Sequence, residues 1–220
     1  MLATSDGVLL GVSMCPSTIT VSHLASGGVA PVDKTVTYGV VTTAITGTYK
    51  CWITQNLGAD HQAVSSADAT EASAGWYWQF NRKQGYKHDG SSRTPNSAWV
   101  YPLSESSTWL PENDPCTIEL GAGWRIPTYE EWVNAFFPPT GWPTPLDTYS
   151  SPLKMHKAGY LSWGAANLSY RGTRVRYWGN FNASYGPYYE WAYSFYIDEW
   201  GVHGALHERS HGYPVRCIKD

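Results

Sequence analysis

Gly123-Trp-Arg-Ile-Pro-Thr-Tyr-Glu-Glu-Trp132 is the stretch on which the fold turns. Thr128 and Glu131 stand three apart, the spacing of a capping box in which hydroxyl and carboxylate each take a free backbone N–H. Pro127 lies just outside, and Glu130 and Glu131 put negative charge at the positive end of the helix. Trp132 and Phe136 share a face at i, i+4, and Pro138-Pro139 closes the element. The sequence therefore predicts one short amphipathic helix from residue 128 that buries a tryptophan.

Around this helix the chain reads as strands and loops. Thr18–Ser22 and Thr35–Val41 alternate like the strands of an edge hairpin or small β appendage, and Thr48–Thr54 as a further strand. Trp191, Tyr193, Phe195 and Ile197 alternate with Ala192, Ser194, Tyr196 and Asp198, which predicts a strand with the first set buried and the second presented. Tyr213–Ile218 reads as a closing strand. The segments 58–74 and 85–115 lack periodicity and are expected to be long loops, functional or pinned by aromatics. Residues 1–47 hold a single aromatic, Tyr38, so the chain divides into a short β segment (1–47) that packs on a main domain (48–220).

Composition narrows the function. The 220 residues carry 12 Trp, 16 Tyr and 5 Phe, an aromatic share of 15% that equals the charged share. Such an excess of amphipathic rings is what contact surfaces favour. A net charge of −3 and a pI near 6.1 argue against a nucleic-acid partner. No apolar run approaches the ~20 residues that span a bilayer, so no membrane insertion is expected. The first twenty residues lack a basic start, and no signal peptide is read there.

Chemistry-bearing motifs are sparse. There is no Gly-x-Ser-x-Gly elbow, His-Glu-x-x-His or glycine-rich phosphate loop. His203, His207 and His211 recur every four residues, but Gly201, Gly204 and Gly212 argue against a continuous helix, so no metal site is assigned. No cofactor is expected. Pro111-Glu112-Asn113-Asp114 reads as a turn before Cys116.

Gly123–Trp132, the ending Tyr213-Pro-Val-Arg-Cys-Ile-Lys-Asp220 and Trp52-Ile-Thr-Gln-Asn-Leu57 together resemble the Fibrobacter succinogenes major paralogous domain of gut-bacterial surface proteins. The helix motif also resembles formylglycine-generating-enzyme-like domains. Both resemblances imply an α+β, C-type-lectin-like fold with long loops over roughly residues 48–220. A narrower resemblance, carried by Arg171-Gly172, Tyr177-Trp178, Trp191, Phe195 and Val215-Arg216-Cys217, is to variable proteins diversified by retroelements in gut Bacteroidetes or their phages. It implies a ligand-binding face between framework positions and a cell-surface, extracellular or virion location. The lectin calcium pattern is not matched: Pro111-Glu112-Asn113 has the wrong order, and Trp178-Gly179-Asn180 stands where Trp-Asn-Asp is wanted. The reactive cysteine pair of formylglycine-generating enzymes is not matched either, since only Cys217 lies near the C-terminus.

The expected binding face follows from parity and composition. Arg174 and Arg176 flank Val175, and Tyr196 and Asp198 alternate with Phe195 and Ile197, so all four should face outward. Asn180, Asn182, Tyr185, Tyr188, Tyr189, Glu190, Glu199, Trp200, His203, His207 and Glu208 are placed in intervening loops. Rigid aromatics beside small polar residues make the chemistry of a paratope. The expected function is recognition without catalysis, of a cell-surface protein or glycan. The rival readings are a formylglycine-generating-like enzyme and a structural module of a surface appendage. Cys116 and Cys217 are expected to staple the helix entry to the C-terminus unless they stay as buried thiols, and Cys15–Cys51 is a second pairing.

Overall fold

Alternating Thr, Val and Ser in the N-terminal stretch produce the first strands of the computed structural model, which describes residues 15–136, 145–182 and 191–220. In chain order the elements are β1 (Thr18–His23), β2 (Lys34–Thr43), β3 (Lys50–Ile53), α1 (Glu71–Ala74), β4 (Tyr77–Trp78), β5 (Gly85–His88) and β6 (Arg93–Thr94). They continue with α2 (Pro115–Leu120), β7 (Trp124–Arg125), α3 (Tyr129–Phe136), α4 (Pro145–Ser150), β8 (Tyr160–Leu161), β9 (Leu168–Ser169), β10 (Val175–Asn182), β11 (Trp191–Ile197), β12 (Val202–Glu208) and β13 (Ile218–Lys219). The architecture is mixed, with strands predominating over a few short helices.

A five-stranded antiparallel sheet runs β1-β2-β3-β13-β7, so the C-terminal strand lies between β3 and the strand that leads into α3. The β1–β2 hairpin extends this sheet through β2–β3 pairing, and Cys15–Cys51 ties its start to β3. Cys116–Cys217 joins α2 to the chain just before β13, with both cysteines fully buried. The residues expected to form a strand at 213–218 are mostly not in one. Pro214 has no N–H to donate, Tyr213 makes only an isolated bridge to Trp78, and regular pairing begins at Ile218.

The capping box forms: Thr128 N–H donates to Glu131 Oε2 at 2.7 Å, and Glu131 N–H to Thr128 Oγ1 at 3.1 Å. Glu131 also takes both terminal nitrogens of Arg125, at 2.8 and 2.7 Å, locking helix entry to β7. Trp132 is fully buried; the side chain of Phe136 lies outside the described residues. Helices α1, α2 and α4 have no counterpart in the sequence reading. The turn expected at Pro111–Asp114 is present, with Asp114 N–H donating to Pro111 O at 3.3 Å. Helix α2 follows it because the Asp114 carboxylate caps the helix by accepting from the N–H groups of Cys116 and Thr117, and also accepts from Ile126 N–H.

A separate antiparallel sheet, β10-β11-β12, carries the C-terminal third. One of its faces, with Tyr177, Phe195 and Ile197, packs on α3 through Trp132 and Tyr129. Beside it the β8–β9 hairpin is drawn in at Gly159, whose N–H donates to Arg174 O at 2.8 Å. A Cβ at Gly159 would meet Ser169 O at 2.7 Å, and its φ of +74° favours glycine.

Candidate binding face

Strand register brings the second set of β10–β12 side chains onto one face. Arg176 pairs with Tyr196 and Tyr196 with His203; Trp178 pairs with Ser194, and Ala192 with His207. Alternation within each strand then gathers Arg176, Trp178, Ser194, Tyr196, His203 and His207. The backbone returning through residues 209–213 and the β8–β9 hairpin lay further rings against this face. Trp178 stacks on Tyr213 with centroids 4.1 Å apart, Tyr213 stacks on His211 at 5.4 Å, and Tyr160 meets Tyr213 edge-on at 5.8 Å. Above this floor Tyr196 stacks on His203 at 4.7 Å, and His207 meets Tyr196 edge-on at 5.9 Å.

Two arginines are layered onto tyrosines at one side. Arg174 lies 4.9 Å from the Tyr170 ring centre and Arg176 4.5 Å from that of Tyr160, while Tyr160 and Tyr170 stack on each other at 5.6 Å. Asp198 joins the group, 3.6 Å from Arg174 and 3.6 Å from His203. Burial holds His207 neutral, with its pKa pushed down to about 3 and the Arg176 charge adding to the effect. His211 is likewise pushed down to about 4, chiefly by burial. Burial raises the Tyr213 hydroxyl above the usual phenol range.

The expected site residues divide into groups. Arg174, Arg176, Tyr196, Asp198, His203 and His207 come together on this face, with Glu199 and Trp200 exposed at the β11–β12 turn. Trp200 is 73% exposed, its N–H donating to Asp198 Oδ1 at 2.9 Å.

Several expectations are corrected. Asp198 and Ser194 were assigned to the presented side of β11 yet are buried, because the 209–213 return, Arg174 and His203 cover that side too. Asn180 and Asn182 sit in β10, and His203, His207 and Glu208 in β12, where loops were expected. The segment is not helical, as its glycines indicated, but forms strand β12, and Gly204 serves its packing: a Cβ there would press on the Phe195 ring at 3.2 Å. Asn182 is buried and structural, donating to Ser106 O and accepting from Arg209. Asn180 stands apart from the face, lining a cavity of about 340 Å³ with Trp109, Trp124 and Arg125. Glu208 is partly buried at the end of β12, opposite Trp191. Tyr185, Tyr188, Tyr189 and Glu190 lie outside the described residues.

Sequence reasoning missed Tyr160, Tyr170, His211 and Tyr213 as members of this face. Only the third histidine in the 203, 207, 211 series carried a signal. No group of three His, Cys, Asp or Glu among the described residues is arranged to hold a metal ion. Among the same residues no helix is long and apolar enough to cross a membrane. No protein-family model matches the chain, nor does any curated protein or solved structure.

Proposed function

We propose that this chain is a non-enzymatic binding module of C-type-lectin-like fold that presents the β10–β12 face to a cell-surface protein or glycan. The observation that carries the proposal is the gathering of Arg174, Arg176, Tyr196, His203 and His207 on one face whose buried side is a stack of rings. Rigid rings offer contact area at low entropic cost, and half-exposed arginine and histidine supply directional polar contacts. The fold reading draws support from the C-terminal strand closing the main sheet between β3 and β7, from the irregular 95–114 stretch held by Trp99 and Trp109, and from the separate sheet that the C-terminal third builds. Two disulfides suit an extracellular or surface location.

The retroelement-diversified form of the proposal draws on the same interleaving. Tyr177, Trp178, Phe195, Val215 and Cys217 are buried, while Arg174, Arg176, Tyr196 and His203 between or beside them are partly exposed. Recognition is favoured over catalysis because the pairs that look reactive are ill placed. Ser194 Oγ lies 2.7 Å from His207 Nδ1, a nucleophile–base pair in form, but Ser194 is fully buried and His207 is too weak a base with its pKa near 3. All four cysteines are in disulfides, which removes the free thiol that a formylglycine-generating mechanism uses.

A combined glycan and protein array probed with the purified chain tests the proposal. Captured ligands should be retained about tenfold more weakly by a Tyr196→Ala/His203→Ala variant of unchanged melting temperature. Undiminished capture by that variant would remove this face from the account.

A further inference from the structure

Arg176 is placed differently from the other arginines near the face. Arg174 pairs with Asp198, and the fully buried Arg216 spends its guanidinium on two backbone carbonyls and Asn56. Arg176 is half-buried, donates among the described residues only to the Tyr213 hydroxyl, at 3.2 Å, and lies over the Tyr160 ring at 4.5 Å. Among the described residues its Nε is buried without a hydrogen-bond partner and no carboxylate lies within ion-pairing distance of the guanidinium. An arginine held by aromatic rings with no carboxylate paired to it is a prepared donor to an anion through its terminal nitrogens, since charge-assisted bonds to a carboxylate or sulfate are the strong ones.

The surroundings select what carries that anion. Tyr170 stacks on Tyr160 beside Arg176 and is 54% exposed, a ring available for the apolar face of a sugar. His203 and Tyr196 present a partly exposed imidazole–phenol stack able to both donate and accept, as sugar hydroxyls require. An acidic protein segment would be better met by several unpaired cations, and Arg174 is already committed to Asp198. We infer that the face recognises an anionic sugar, its carboxylate or sulfate taken by Arg176 and its ring by Tyr170. This deepens the proposed function and rests on the β10–β12 face being a binding face.

The test is titration calorimetry of the whole chain with four probes: tetragalacturonate, its methyl ester, a sulfated galactan tetrasaccharide and a decapeptide of glutamate. The inference expects at least one charged sugar to bind about tenfold more tightly than the ester and the peptide. The comparison of the two charged sugars decides between carboxylate and sulfate. Arg176→Gln should lose about tenfold in affinity and Arg176→Lys, which keeps charge without the fork, an intermediate amount, while Arg82→Gln on another surface loses nothing. Melting curves of each variant report folding, and should Arg176→Gln not fold, the Lys variant and the ester comparison still decide. Equal binding of ester or peptide overturns the inference. If none of the four probes binds while array ligands still depend on Tyr196 and His203, the sugar inference falls and the binding face stands. If array ligands do not depend on those residues, both fall.

Discussion

Replacing Arg216 by Met is expected to cost the fold several kcal/mol, since each buried acceptor that loses its donor costs about 1–3 kcal/mol. Arg216 is 1% exposed, and its terminal nitrogens donate to Leu153 O at 2.9 Å, Ile53 O at 3.3 Å and Asn56 Oδ1 at 3.0 Å. Asn56 in turn accepts from Tyr177 Oη at 3.1 Å and donates to Ala74 O at 2.9 Å. One guanidinium thus ties the end of β3, the segment after α4, strand β10 and helix α1. Methionine fills much of the volume but leaves two carbonyls and an amide oxygen short of donors in a dry interior. Lysine should fail nearly as badly, because a single ammonium cannot reproduce the planar fork. Urea titration of the purified variants measures the loss, and a cost under about 1 kcal/mol for Arg216→Met would show that the network is dispensable.

Acidification from pH 7 to pH 5 is expected to remove several kcal/mol of stability. His156, His207 and His211 are held neutral by burial, with pKa values near 3, 3 and 4 against an ordinary value of 6.5. A lowered histidine pKa means that the unfolded chain takes up protons that the folded chain refuses. The stability is therefore complete above pH 6.5 and is lost as pH falls toward the folded values. At pH 5 each histidine contributes a loss of about 2 kcal/mol. Asp114 works in the opposite direction: burial raises its pKa to about 6, so the folded chain gains a proton between pH 7 and 5 and recovers about 1 kcal/mol. The net change should lower the melting temperature by about 10 °C or more for a chain of this length. A melting temperature flat between pH 7 and 5 would contradict the burial of these imidazoles. His207→Asn should remove one proton from the slope.

The parts of the fold legible in the sequence are those fixed by neighbours in the chain. The capping box at Thr128 and Glu131 works through contacts three residues apart, so its spacing was sufficient. The β1–β2 alternation was legible for the same reason. Strand β11 was found, but its parity assumed one dry and one wet face, and that assumption failed. Ala192 and Ser194 are as buried as Phe195, because Tyr213 and the 209–213 return close the far side. Such a covering comes from residues distant in sequence, which no local pattern encodes. The site was legible in the same partial way. Arg174, Arg176 and Tyr196 follow from alternation and His203 was placed by composition in a loop, whereas Tyr160 and Tyr170 arrive on a hairpin that the sequence reading did not identify. Gly204 rightly argued against a helix through the histidines, but the strand that forms instead was not read: the glycine lets β12 pass over Phe195.

The most direct test of the central claim is hydrogen–deuterium exchange on the chain with and without its strongest array ligand. The binding face predicts slowed exchange at residues 174–178, 194–198 and 202–207, with the β1–β2 hairpin and the cavity at Trp109 and Trp124 unchanged. Slowed exchange confined to that cavity or to the hairpin, with β10–β12 unaltered, would contradict it.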